Sequence, residues 1–220
     1  MDSFRRARHA MVDSQLRTNA VTDPRIIEVM GKLPRELFVP ESQRALAYID
    51  EDLALSPGPG ARFLMQPMPF ARLVQLAGIG PDDIVLDIAC GTGYSTAVLA
   101  RLAGSVVAID DQPRLVEQAN ENLSALDIGN AAAVAAELAA GKPDEAPFDT
   151  ILIEGSVEDV PQTLFAQLKQ GGRLAVFVRR GPVSSATVFV KSGGEIAART
   201  SFDAAVAPLK PFARKPEFQF

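Results

Sequence analysis

Residues 85–102 read VLDIACGTGYSTAVLARL, and no other stretch restricts the folding of this chain as much. An apolar run ends in Asp87, Gly91 and Gly93 follow, and a helical pattern begins at Tyr94. Glycine has no Cβ, so the backbone can turn through positive φ there and another group can come close. The helix start beyond leaves N–H groups unpaired at the positive end of the helix dipole. The stretch therefore predicts a strand, a tight loop and a helix. The same rhythm continues in IVLDI (84–88), SVVAI (105–109), AAAVA (131–135), TILIE (150–154) and RLAVFV (173–178), which are short, apolar and mostly β-branched. Segments of helical periodicity such as 94–102 and 113–126 separate them. This alternation predicts an α/β fold, a doubly wound, mostly parallel Rossmann-like sheet with helices on both faces.

The first part of the chain is written differently. Up to about residue 48 it predicts short helices over 4–16 and 24–31, with Asp23 as N-cap and Pro24 at the first helical position. Pro34 and Pro40 break the next stretch, and LSPGPGARFLMQP (55–67) reads as a linker or a functional lid. After Gly193 one or two strands are expected, then a Pro-interrupted tail, PLKPFARKPEFQF, that packs on the domain. The expected organisation is one domain over 1–220: a helical block (1–54), a loop (55–70) and a core with its tail (80–220). A length of 220 residues can bury such a core.

Composition removes several classes of chemistry. His9 is the only histidine and Cys90 the only cysteine, which excludes His-based triads, multi-His metal cages and an internal disulfide. No metal is expected, and a reducing, cytoplasmic setting is. The net charge of −5 argues against a nucleic-acid partner. The basic start lacks an apolar segment after it, and no apolar run nears the roughly 18 residues of a membrane span, so neither export nor membrane insertion is expected.

Asp110, in VVAIDD with Asp111, lies about twenty residues beyond the glycine loop, where a carboxylate grips ribose hydroxyls in such folds. The dinucleotide fingerprint calls for a third glycine at position 96, which is Thr96. Instead Asp87 and the loop Ala89, Cys90, Gly91, Thr92 and Gly93 match the S-adenosyl-L-methionine pattern D/E-x-G/A-x-G-x-G. That ligand has no diphosphate, and the acidic residue helps orient its methionine portion. Cys90 reads as a small packing residue, with no neighbour to make it a nucleophile. Glu137, after the third strand, either accepts from an adenine amino group or meets a helix dipole. Glu154 and Asp159 read as solvated loop charges.

Residues 11–55, with PRELFVP (34–40) and the AY-x-D-x-x-L spacing (47–53), resemble the N-terminal region of protein-L-isoaspartate O-methyltransferases. The resemblance continues through 85–99, APFDTILIEGS (146–156) and PQTLFAQLKQGGRLAVFV (161–178), then fades in the tail. It implies S-adenosylmethionine-dependent methylation of the α-carboxyl of L-isoaspartyl residues, in repair through a succinimide. It also implies a peptide or protein substrate and a monomer. A carboxylate with a pKa near 4 is already ionised at neutral pH and needs no general base, which suits a chain with one histidine.

The linking loop departs from the family, which writes G-x-G-Q-T-I-S-x-P where this chain has GPGARFLMQP (58–67). Anchored on Pro67, Phe63 falls at the family's Thr and Met65 at its active-site Ser, and a thioether cannot donate a hydrogen bond. Arg62 replaces the Gln and either grips the substrate carboxylate or stands as a solvated surface charge. Glu137 and Leu138 replace Asp-Gly, and Asp110 replaces a frequent Glu. Two other readings remain: a methyltransferase of the same fold with a more apolar acceptor, facing Phe63, Leu64, Met65 and Met68, or a non-catalytic module that binds S-adenosylmethionine.

Overall fold

The computed structural model describes residues 2–58 and 60–214. Helix α1 (Asp2–Met11) continues through a π turn (Val12–Leu16) and a 3₁₀ turn (Arg17–Asn19). It ends at Ala20, whose φ of 61° cannot continue a helix. Helix α2 (Pro24–Lys32) starts as its sequence predicts: the Asp23 carboxylate accepts from the Arg25 N–H, and Pro24 takes the position where no donor is needed. The prolines then hold the chain in 3₁₀ turns over Arg35–Phe38 and Glu41–Leu46. A short antiparallel pair follows, β1 (Leu53–Ala54) with β2 (Phe63–Leu64), then α3 (Pro67–Ala77). The segment 55–70 is therefore the connection of a hairpin, its second strand and the first turn of a helix.

The central sheet has seven strands, β3 (Ile84–Ile88), β4 (Ser105–Asp110), β5 (Ala131–Ala135), β6 (Phe148–Val157), β7 (Leu168–Arg180), β8 (Val183–Ser192) and β9 (Glu195–Ala204). Their order is β5-β4-β3-β6-β7-β8-β9, parallel from β5 to β7 and antiparallel beyond. Helices α4 (Tyr94–Ala100), α5 (Pro113–Ala125) and α6 (Gln162–Ala166) make three of the crossovers. Between β5 and β6 the chain forms only turns and a short 3₁₀ segment, so no helix covers that crossover. β8 lies where the sequence predicts no strand; its Ser184, Ser185 and Thr187 alternate into the sheet among Ala186 and Val188 and hide the apolar signal.

Strand alternation divides the core between two faces. Val85, Leu152, Ala175 and Phe177 join the apolar cluster formed with the N-terminal block, α3 and α4. Leu86, Ile88, Ile151, Ile153 and Leu174 face the opposite layer with α6 and the tail. The described part of that tail packs as expected: Ser156 N–H donates to Ala207 O, Leu209 N–H donates to Ser156 O, and Phe212 is buried. Residues 215–220 lie outside the described residues. Among the described residues no helix is long and apolar enough to cross a membrane.

Arg35 joins the block to the core. Its side chain is fully buried; Nε donates to Ala47 O at 2.7 Å, Nη2 donates to Met65 O at 2.5 Å, and the guanidinium lies 4.8 Å from the centre of the Tyr94 ring. Arg35→Ala strands two buried carbonyls and empties a large volume, so denaturant unfolding should show a loss of about 3 kcal/mol or more. Arg35→Lys should recover less than half, because a compact ammonium lacks the fork that spans both carbonyls.

Candidate active site

The carboxyl ends of β3, β4 and β6 lie side by side, since the register pairs Ile88 with Ile109 on one flank and with Ile153 on the other. After Ile88 the chain turns through positive φ at Ala89 (64°), Gly91 (56°) and Gly93 (89°) into α4. Ala89 and Cys90 donate their N–H groups to Ile109 O, and Gly93 closes the turn on Cys90 O. Glycine is required at 93 by packing as well, for a Cβ there would lie 3.0 Å from the Ala119 Cβ of α5. The loop is tied to the N-terminal block through Thr92 Oγ1, which donates to Phe38 O at 2.5 Å.

Asp87 is fully buried at the base of this turn. Ser95 and Thr96 both donate their hydroxyls to its Oδ2 at 2.7 Å, while Oδ1 has no partner. The threonine that departs from the dinucleotide fingerprint is thus a ligand of the strand-end carboxylate, a role visible only once the first turn of α4 is built. Burial raises the Asp87 carboxyl to about 6, against the two hydroxyls that favour its charge, and Asp110 adds repulsion.

Asp110 is also fully buried, and its oxygens are taken. Oδ1 accepts from Gln112 N–H, and Oδ2 accepts from Gly91 N–H at 3.1 Å and from Arg62 Nε at 3.2 Å. Arg62 is 2% exposed, so it is no surface charge. Its Nη2 donates to Asp111 and its Nη1 to Gly60 O, which leaves the guanidinium committed to the cofactor side instead of free to grip an acceptor. Gln112 Nε2 also holds Gly60 O, and Leu55 sits on the glycine turn, where a Cβ at Gly91 would lie 2.6 Å from its Cδ1. The hairpin connection 55–62 is laid over the glycine loop and the β4 carboxylate.

The remaining sites are distributed around this core. Cys90 is buried, and burial, with Asp87 and Asp110 nearby, pushes its thiol well up, which keeps it protonated. Glu137 is exposed after β5 and followed by a turn, so there is no helix dipole for it to meet; Leu138 beside it is fully buried. Met65 is buried and lines a small hollow with Asp52, Phe63, Glu154 and Gly155. Asp52 clasps the hollow's two sides, accepting from Gln66 N–H and Ala207 N–H. Asp159 is an exposed loop charge, but Glu154 is not: it belongs to β6, and its Oε1 is shut off from solvent without a partner. A cleft of about 620 Å³ opens beside the loop, lined by Phe38, Pro40, Arg44, Leu55, Thr92 and Gln112 among others.

A parallel sheet with an acidic residue ending each of two adjacent strands, a glycine turn between and a helix start beyond defines a nucleoside-binding α/β protein of the S-adenosylmethionine-dependent methyltransferase class. The family model of protein-L-isoaspartate(D-aspartate) O-methyltransferase matches residues 6–210, and the chain belongs to that family. Among its relatives, a protein-L-isoaspartate O-methyltransferase of Syntrophobacter fumaroxidans is 37% identical over 195 residues, 89% of each chain. One from Koribacter versatilis is 34% identical over 209 residues, 95% of this chain and 93% of its own. A solved protein-L-isoaspartate O-methyltransferase superposes with a TM-score of 0.79 at 27% identity, covering 91% of this chain and 65% of its own. A Plasmodium falciparum structure, provisionally assigned to the same activity and in complex with S-adenosyl-L-homocysteine, shares the fold with a TM-score of 0.78 at 20% identity. It covers 93% of this chain and 98% of its own.

The residues fit that cofactor, a cationic ligand with ribose hydroxyls: a buried carboxylate oxygen of Asp87 faces no donor, and Asp110 stands at the neighbouring strand end. The free protein carries the cost. Asp87 titrates near 3.8 when unfolded and at about 6 when folded, so across that interval the folded state binds more protons and this group's contribution falls as pH rises. Relative to the unaltered chain, Asp87→Asn should gain on the order of 2 kcal/mol between pH 4 and pH 7 in urea unfolding. An unchanged difference across that range would show that Asp87 does not titrate there.

Proposed function

We propose that this chain is an S-adenosyl-L-methionine-dependent carboxyl O-methyltransferase that esterifies L-isoaspartyl, and D-aspartyl, residues of peptides and proteins in their repair. The observation that carries it is the family match across 6–210, which includes the N-terminal block that walls this site. When bound, the cofactor supplies an electrophilic sulfonium methyl that an ionised carboxylate takes by direct displacement. Asp87 and the turn 89–93 would hold the methionine portion, Asp110 and Asp111 would take the ribose, and Glu137 and Leu138 would border the adenine. The buried positions of Met65 and Leu64 keep water from the acceptor side, and the chain contributes positioning, not proton transfer. One domain over 1–220, a cytoplasmic setting and no nucleic-acid partner complete the reading, supported by the single cysteine and the acidic balance. The monomeric state follows from the family resemblance.

An isoaspartyl peptide incubated with labelled cofactor should gain a base-labile methyl ester well above its aspartyl control. Equal labelling of the two would end the isoaspartyl assignment. The buried thioether of Met65 favours a second reading, a more apolar acceptor. Under the isoaspartyl reading, Met65→Ser restores a donor and should raise turnover of that peptide about tenfold, the worth of one good hydrogen bond. No gain would favour the apolar acceptor.

Arg62 and ribose hydroxyls draw on the same Asp110 oxygens, so the connection 55–62 yields or shares when the cofactor enters. Arg62→Gln should lower the melting temperature of the free protein, because Asp110 loses its only cationic partner among the described residues. Calorimetry should show S-adenosyl-L-homocysteine binding several-fold tighter to the same variant. Weaker binding would mean that Arg62 belongs to the bound state.

A further inference from the structure

Glu154 has no role in the reading above, yet it is placed with care. In β6 it follows Ile153, whose register partner is Ile88, so it stands beside Ala89 where the chain leaves β3 for the glycine turn. Alternation puts Asp87, Leu152 and Glu154 on the same face of the sheet, the one covered by the N-terminal block. There Glu154 lines the hollow with Asp52, Phe63 and Met65. Asp87 is fully buried with Oδ1 unpartnered, and the Oε1 of Glu154 is likewise inaccessible and unpartnered. Two carboxylates on adjacent strands and one face of the sheet, near enough to repel each other, thus each hold a buried oxygen without a donor.

The nearby cations do not close the gap. Arg35 opposes the charge of Glu154 but spends Nε and Nη2 on backbone carbonyls, and its Nη1, buried without a hydrogen-bond partner, does not reach either carboxylate. Arg62 is spent on Asp110, Asp111 and Gly60. Burial and the Asp87 charge push the Glu154 carboxyl well up, the expected response of a carboxylate deprived of water and of a partner. A buried acceptor without a donor costs about 1–3 kcal/mol, more when charged, so a pair of them is a standing demand for a compact cation with several N–H donors.

We propose that Glu154 and Asp87 form a carboxylate clamp for the α-ammonium group of the cofactor, with Glu154 as the second jaw. The proposal rests on the cofactor reading above and adds a residue to it. An ammonium has three donors and matches two unpartnered carboxylate oxygens from neighbouring strands. The clamp also separates two parts of the ligand: the nucleoside meets Asp110 and Glu137, and only the amino-acid arm meets Glu154.

Calorimetry with two ligands tests this on the full chain. S-adenosyl-L-homocysteine carries the amino-acid arm, whereas 5′-methylthioadenosine shares its nucleoside and sulfur but lacks that arm. Glu154→Gln should weaken the first about tenfold or more, in line with the loss of a charge-assisted hydrogen bond, and leave the second within about twofold. Equal weakening of both ligands, or of neither, would overturn the clamp. A measurement that needs no variant compares S-adenosyl-L-homocysteine with its deaminated 2-oxo analogue on the unaltered chain. The analogue should bind at least about tenfold more weakly, and equal affinity would again overturn the proposal. If the unaltered chain binds no S-adenosyl-L-homocysteine, the cofactor reading fails first and takes the clamp with it.

Discussion

Burial of negative charge at the carboxyl ends of β3, β4 and β6 is the constraint around which the rest of this structure is arranged. A carboxylate removed from water must find donors or a cation, or be pushed toward its neutral form. Asp110 finds two backbone N–H groups and a guanidinium. Asp87 finds two hydroxyls on one oxygen and nothing on the other. Because the strands are parallel, their ends share one edge, and the loops that supply these donors are forced into one place. The Gly91 N–H can reach Asp110 only if the turn after β3 folds back toward β4, which the positive φ values at Ala89 and Gly91 allow.

The N-terminal block closes this edge with contacts from far along the chain. Phe38 O accepts from Thr92, Arg35 holds the backbone of Met65, and Asp52 bridges Gln66 to Ala207. Each joins the block or the hairpin to a segment that the sheet has already fixed. The hairpin connection 55–62 is held differently, by Arg62 on side-chain carboxylates and by Gln112 on Gly60 O. Those are the contacts that a nucleoside would contest. The block and the start of α3 are anchored through backbone groups, and the connection that lies on Asp110 is anchored through side chains a ligand can replace.

Much of this arrangement is legible in the sequence. Strands β3, β4 and β5 coincide with their apolar runs, and α2 and α5 begin at prolines that the pattern marks. Asp87, the glycine turn and Asp110 are local signals, written in one strand–loop–helix–strand passage. What stayed hidden depends on partners distant in sequence. Arg62 looks like a loop charge until Asp110, 48 residues on, is placed against it. Glu154 looks solvated at the end of TILIE because strand β6 runs on to Val157 and the tail returns over it through Ala207 and Leu209. Strand β8 is masked in the sequence by Ser184 and Thr187, whose burial beside β7 and β9 is a property of the sheet and not of the segment.

The two ends of the sheet treat their carboxylates in opposite ways, and the contrast locates the function. At the amino edge, Asp83 meets Arg173 at 2.7 Å and accepts from Thr150. Asp149 there meets Lys169 at 2.6 Å and accepts from Ile84 N–H. Both are partly solvated, paired and hydrogen-bonded, as a structure under selection for stability alone would have them. At the carboxyl edge, Asp87 is fully buried and it and Glu154 each hold an inaccessible oxygen without a partner, and Ala89 holds a φ of 64° that costs a residue with a Cβ roughly 1–2 kcal/mol. A glycine at 89, an amide at 87 and an apolar side chain at 154 would each relieve the free protein, yet the chain carries none of them. Strain and unsatisfied charge of this kind persist where something outside the chain removes them. On this edge that something must be cationic and carry several N–H donors for Asp87 and Glu154, which is a description of a ligand drawn from the protein's own deficits.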